Sequence, residues 1–295
     1  MSKAAPNMLH LHQTPSVNRP TLILALSGWM DGGDVSTGTV ERLVGLFDAE
    51  VIADIDPEEF YIYNLPGSME LSAMFRPHIE IEEGIIQRNE FPTNQFYCHE
   101  AGDLLFFIGK EPNMRWRQFG DCIFDFSTRL GVQRIIFVGS FGGTVPHTRE
   151  PRMFATGCDD ERLTMLEQYD VRRTGYSGPG SFISYMMTRA PDEAMEMFSL
   201  IAEIPSYLHG RNPTCIEAVT RRLAKILQLP LDLDTLRTAS TEWELEMSRM
   251  LDGNEEVQQR IRELEENYDN ELIGLPPRER DPGEEGDVAF DNDLF

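Results

Sequence analysis

The chain has 295 residues, 41% of them hydrophobic, enough to bury a large core in one α/β domain with or without an appendage. With 50 acidic against 26 basic side chains the formal net charge is −24, which repels phosphate backbones and anionic membrane surfaces and excludes nucleic acid as an expected partner. No stretch approaches the ~20 apolar residues of a membrane span, and the first residues lack the apolar run of a leader, so a cytoplasmic protein is expected.

In chain order, residues 1–19 read as a flexible arm. Thr21 to Leu26, TLILAL, has the character of a strand covered on both faces. The loop SGWMDGGD follows, with Asp34 placed to cap a helix in which Val35, Leu43, Leu46 and Phe47 recur at helical spacing. VIADID, FYIYN, EEGIIQRNEF and DLLFFIG then read as strands. In RWRQFGDCIFDFSTRLG, residues Trp116, Phe119, Ile123, Phe126 and Leu130 fall on one face of a helix that stops at Gly131. RIIFVG returns as a strand, GPGSFISYMMTRA as a turn opening a helix, MFSLIAEIP as a strand, and NPTCIEAVTRRLAKILQLP as a helix entered at Pro213. This alternation predicts an α/β core over residues 20–240, a mainly parallel sheet with helices on its faces and ligand-binding loops at the carboxyl ends of its strands.

Near Thr241 the character changes. Trp243, Met247 and Leu251, then Val257, Ile261, Leu264 and Tyr268, recur every three or four positions among many glutamates. Residues 241–273 are therefore expected to form a helical appendage, interrupted near Asp-Gly-Asn, whose second half lies on its own core. Residues 274–295 combine prolines, glycines and acids with few apolar groups and are expected to be disordered.

Three glycine-rich segments carry the chemistry that is present: SGWMDGGD, VGSFGGTVPHTREPR and YSGPGS. If they meet at one sheet edge, Trp29, Asp31, Gly33, Gly142, Gly143, His147, Arg149 and Gly178 form a candidate cleft. Asp31 would be its acid or base, and Arg149 with the Gly142 and Gly143 amides would hold an anion. The alternative is structural, with Asp31 as a turn-former or cap and the second segment as a strand exit tied down by its own arginines. A hydrolase elbow is excluded by Val138, which stands where G-x-S-x-G requires its first glycine before Ser140. The histidines show no H-E-x-x-H spacing, and Cys98, Cys122, Cys158 and Cys215 contain no C-x-x-C pair. Buried reduced thiols, no metal and no cofactor are expected.

LALSGWMDGGDVSTGTVERL, EPNMRWRQFGDCIFDF, VGSFGGTVPHTREPR, GYSGPGSF and EIPSYLHGRNPTCIEAVTRRL together resemble, in the same order, the segments that mark the proteasome assembly chaperone 2 (PAC2) family, over roughly residues 20–235. The resemblance implies a phosphorylase/hydrolase-like three-layer α/β/α fold around a mixed sheet, to which the C-terminal helical appendage is added. It implies a homo-oligomer, often a trimer, that is chaperone-like or a scaffold for protein partners rather than an enzyme. The alternative on the same fold is an enzyme acting on a nucleoside-like or phosphorylated small molecule. Some relatives carry the label of carboxylate-amine ligases, but this chain lacks the glycine-rich ATP loop that activity would need. Relatives that dock on proteasome rings can end in a hydrophobic residue, a tyrosine and any residue, whereas this chain ends Asp293, Leu294, Phe295. Direct docking by that ending is therefore not expected, although Phe290, Leu294 and Phe295 could still anchor a short docking peptide.

Overall fold

The computed structural model describes residues 8–274. Thr21–Ser27 (here β2, since Leu9–Leu11 precedes it as β1) shows how the core is built. Its side chains alternate, with Leu22, Leu24 and Leu26 pointing into one apolar cluster and Ile23 and Ala25 into another. A strand with two buried faces needs a layer on each side. Val35–Leu46 (α1) and Pro213–Leu227 (α6) cover one face. Trp116–Arg129 (α3) and Phe182–Arg189 (α5) cover the other. Phe119 of α3 lies 4.9 Å from the Phe60 ring and 5.4 Å from Phe182, and burying such a ring contributes about 1.5–3 kcal/mol.

The remaining strands are Glu50–Ile55 (β3), His78–Glu82 (β4), Ile85–Glu90 (β5), Gln95–His99 (β6), Leu104–Lys110 (β7), Arg134–Gly143 (β8), Met153–Gly157 (β9), Val171–Arg173 (β10) and Glu196–Pro205 (β11). Of the eleven strands among the described residues, nine form one sheet in the order β1-β3-β6-β7-β2-β8-β11-β9-β10. Its centre, β7-β2-β8-β11, is parallel, whereas β1, β3 and β6 pair antiparallel on one flank and β9 pairs antiparallel with β11 on the other. The fold is thus the three-layer α/β/α arrangement around a mixed sheet. The short helix Asp160–Glu167 (α4) adds Leu166 to the core, whereas the five-residue helix Met69–Ala73 (α2) buries no side chain.

Four expectations are corrected. Residues 9–11 are not a loose arm: β1 pairs with β3 as Leu9↔Ile55 and Leu11↔Ala53. FYIYN is not a strand; Phe60 and Tyr61 are apolar because they are buried under the sheet as coil. EEGIIQRNEF holds the expected strand, β5, but pairs it with β4 in a hairpin that stands apart from the main sheet. The C-terminal helices start before 241: Asp234–Leu251 (α7) opens with Leu236 buried in the core beside α6, and Glu255–Leu272 (α8) follows a break at Asp252 to Asn254, with Asn254 capping it. Val257 and Ile261 of α8 pack on Tyr207 and Leu251, with Leu208 and Leu264 beside them, so the helix lies on the body. The expected disordered tail lies outside the described residues, apart from Gly274. Among the described residues no helix is long and apolar enough to cross a membrane.

Candidate functional site

Because β2, β7, β8 and β11 are parallel, the loops that follow them leave from one edge of the sheet. The loop after β2 begins at Gly28, whose φ of +131° is open to glycine, and a Cβ there would sit 3.1 Å from the Cβ of Glu111. Glu111, just beyond β7, stitches this corner together: its carboxylate accepts from the Trp29 amide (3.2 Å) and from the Phe182 amide at the start of α5 (2.8 Å). Thus the segment that contains Gly178 is anchored, at its far end, to the same edge as Trp29.

The loops after β2 and β8 touch directly. Asp31 and Ser140 form an isolated parallel bridge, the Ser140 amide donates to Met30 O (2.9 Å), and its hydroxyl donates to Gly32 O (2.6 Å). Asn212 fastens the other side, donating its amide to Gly33 O (2.8 Å) while its side chain caps α6. Asp31 is a helix cap by function: its carboxylate accepts from the Thr37 amide (3.1 Å) and hydroxyl (2.8 Å). Asp34, the expected cap, sits in the left-handed region at φ 50° and its side chain makes no capping bond. Burial pushes the Asp31 carboxyl up to about 6, against the lowering effect of the Thr37 hydrogen bonds.

The second half of the expected cleft faces elsewhere. Beyond Gly142 and Gly143, the amides of Thr144 (2.6 Å) and Val145 (3.2 Å) point at one acceptor, the Glu203 carboxylate of β11. Arg152 closes the other side of that carboxylate at 3.0 Å, and Glu203 is only 5% exposed. A Cβ on Gly143 would fall on the same carboxylate, which explains the glycine. The chain has therefore built an anion cradle of amides and a guanidinium and filled it with its own glutamate.

His147 and Arg149 are held by the C-terminal helices. His147 is buried; one ring nitrogen meets the Tyr207 hydroxyl at 2.8 Å and the other the Ser248 hydroxyl of α7 at 3.1 Å. Burial pulls its pKa below the usual histidine value, with Glu265 acting in the opposite sense. Arg149 grips Asp269 of α8 with two bonds of 2.9 and 2.8 Å and reaches Glu265 at 3.4 Å. Arg152 also binds Glu271 at 2.7 Å and stacks 4.5 Å over the Tyr268 ring; Thr148 bonds Glu265 and Arg172 bonds Glu271. A cavity of about 230 Å³ remains between this loop and the helices, walled by His147, Thr148, Ser248, Asp252, Ile261 and Arg262.

The structure thus brings Trp29, Asp31 and Gly33 to one place with Ser140, and puts His147 and Arg149 under α7 and α8, where their side chains serve a different contact. Among the described residues no group of three or more His, Cys, Asp or Glu is placed to hold a metal. The free cysteines Cys98, Cys122 and Cys215 are buried, and Cys158 is exposed.

The description PAC2 family matches residues 25–251. The chain belongs to the PAC2 family. Solved structures similar to this PAC2 chain include a protein of unknown function from Mycobacterium tuberculosis, at 24% identity over 92% of this chain and 94% of that one, with a TM-score of 0.81. A proteasome-assembly chaperone homologue from the same organism matches at 24% identity, 82% and 99% coverage and a TM-score of 0.70. An archaeal proteasome activator from Pyrococcus furiosus matches at 18%, 82% and 97%, with a TM-score of 0.62. No curated protein matches the chain. These likenesses carry the fold. In this PAC2 chain the residues that sequence reasoning missed are Glu111 and Glu203. Glu203 had a signal: an acid deep in EMFSLIAEIP, an otherwise apolar strand, requires a buried partner.

Proposed function

We propose that this PAC2 protein is a non-catalytic, chaperone-like protein that binds other proteins during their assembly and that itself forms homo-oligomers. The observation that carries the reading is the character of the strand-exit edge. Trp29 (68% exposed), Met114 and Phe141 stand exposed on the exits of β2, β7 and β8, which are adjacent strands. The ionisable groups around them are engaged in holding the fold: Asp31 caps α1, Glu111 ties two loops, and Arg152 neutralises Glu203. An apolar rim over spent charges suits a protein surface better than a polar metabolite. The names of two similar structures, a proteasome-assembly chaperone homologue and a proteasome activator, support a proteolytic ring or its precursors as the partner class.

The test mixes the full chain with purified core-particle subunits of the proteasome from the same cell and follows assembly by light scattering. Assembly is expected to accelerate, and Trp29→Ser with Phe141→Ser to weaken the effect at least ~10-fold, the loss of about 1.4 kcal/mol of binding, without lowering the melting temperature. Unchanged assembly, together with a metabolite that raises the melting point by several degrees in the wild type and not in Asp31→Asn, would replace this reading with an enzyme.

A further inference from the structure

Helix α8 has the sequence of a segment that needs two kinds of partner. Val257, Ile261, Leu264 and Tyr268 recur every three or four residues, with Glu265 and Asp269 on one flank of that seam and Glu271 on the other. The body meets both needs. Tyr207, Leu208 and Leu251 take the apolar residues, and Arg149, Arg152 and Arg172 take the acids. The loop of residues 147–152, Arg172 of β10 and the turn after β11 thus form a basic groove with an apolar floor, and α8 lies in it.

Two features make α8 a removable occupant of that groove. Among the described residues, the acids that meet Arg149 and Arg172 all belong to α8. The rest of the body gives these two guanidiniums no carboxylate, although the chain has 50 acidic side chains against 26 basic ones. The seat is also loose. The helix is fastened to the body through side chains: Thr148 to Glu265, Arg149 to Asp269, Arg152 and Arg172 to Glu271, and the Tyr268 hydroxyl to Glu150 O at 2.9 Å. The cavity of about 230 Å³ lies between its first half, at Gln258, Ile261 and Arg262, and the His147 loop. Its entry, Asp252-Gly253-Asn254, is exposed, so the helix can swing out there without opening the core.

We infer that this groove is a docking site for an acidic amphipathic helix of a partner protein, and that α8 holds the site closed in the free chain. Guanidiniums on both sides of an apolar floor call for carboxylates on both sides of an apolar seam, the pattern that α8 itself displays. A nucleic acid would satisfy the arginines but not the floor of Tyr207, Leu208 and Leu251, and it would face a net charge of −24. Because the resident helix competes, only the fraction of molecules with α8 displaced can bind, so a partner helix must match the groove better than α8 does. The inference goes beyond the strand-exit reading and stands without it, since its residues are Arg149, Arg152 and Arg172 rather than Trp29, Met114 and Phe141.

The test uses the full-length protein and, as a probe of that chemistry, a fluorescent peptide with the sequence of residues 254–273, its binding read by fluorescence anisotropy. Glu265→Gln with Asp269→Asn and Glu271→Gln in the chain keeps the arginines and loosens the resident helix. The peptide is expected to bind that triple variant at least ~10-fold more tightly than the wild type, and less tightly as salt rises. Adding Arg149→Ala and Arg172→Ala should abolish the gain. Equal affinity for the wild type and the triple variant, a gain that survives loss of both arginines, or equal binding of a peptide whose own three acids are neutralised overturns the inference. A measurement on the wild type alone decides the matter if the triple variant does not fold. Excess peptide should speed amide exchange of residues 255–272 in the isotopically labelled chain severalfold while β8 stays protected, and unchanged exchange overturns the inference as well.

Discussion

Asp31 and Glu203 are both acids on the chemistry-bearing loops, yet their surroundings give them opposite tasks. Asp31 titrates at about 6 in the fold and near 4 when unfolded, so the folded state binds the proton more tightly. Its contribution to stability is therefore present below pH 4 and lost as pH rises through 6. Asp31→Asn should remove this slope: the melting temperature of the variant relative to wild type is expected to rise between pH 4 and 7, by on the order of 2 kcal/mol in stability, in a pH series of thermal melts. A flat difference would mean that the Thr37 bonds outweigh burial. Glu203 is instead the counter-charge of Arg152 and the acceptor for two amides. Glu203→Ala should cost about 3 kcal/mol, because a buried guanidinium loses its one buried carboxylate partner, and the emptied cradle should then take phosphate. Melts with and without phosphate read both: stabilisation of the variant and none of the wild type is expected.

At the scale of elements, α8 is held by a row of ion pairs as well as by its small apolar seam. Arg149, Arg152 and Arg172 meet Glu265, Asp269 and Glu271, and several of these pairs are exposed to solvent. Burial raises the Glu271 carboxyl, but Arg172 and Arg152 more than offset this and hold it below the usual glutamate value. Pairs of this kind are worth up to about 1 kcal/mol each and weaken in salt. Arg149→Ala is therefore expected to speed amide hydrogen exchange in residues 255–272 about fivefold, with β8 unaffected. High salt should act likewise. So should acid: His147, favoured neutral by burial, supports the fold above pH ~6.5 and withdraws that support as pH falls below it. Equal exchange in wild type and variant would assign α8 to its apolar contacts alone.

Elements with a strong period were legible. Phe119, Ile123 and Phe126 mark α3 unambiguously, and Gly131 at φ +69° ends it as read. Strand β1 escaped because three residues carry no period, and FYIYN misled because burial in coil selects the same side chains as burial in a strand. Residues 241–273 read as an appendage from their apolar repeat among glutamates, but the pairing of α8 with Arg149 and Arg152 joins residues about 120 apart, which no local pattern records.

The whole molecule was legible as strand-helix alternation with ligand-type loops, and its site was only half so. Parallel strands guarantee that loops share an edge, so the loops that follow β2 and β8 could be placed together in advance. Which way a loop then turns is set by what covers it, and α7 and α8 draw His147 and Arg149 away from Asp31. The same view at full scale shows how the nine-stranded sheet ends. Its outermost members, β1 and β10, are three residues each, too short to offer a neighbour much ladder. The hairpin strands are five and six residues long, bare on both edges and rich in isoleucine. For anyone who makes this protein in quantity, residues 78–90 are thus where disordered clumping and fibre growth would start once correct assembly falls behind synthesis. A lysine or proline on those outer edges is the first remedy for solubility.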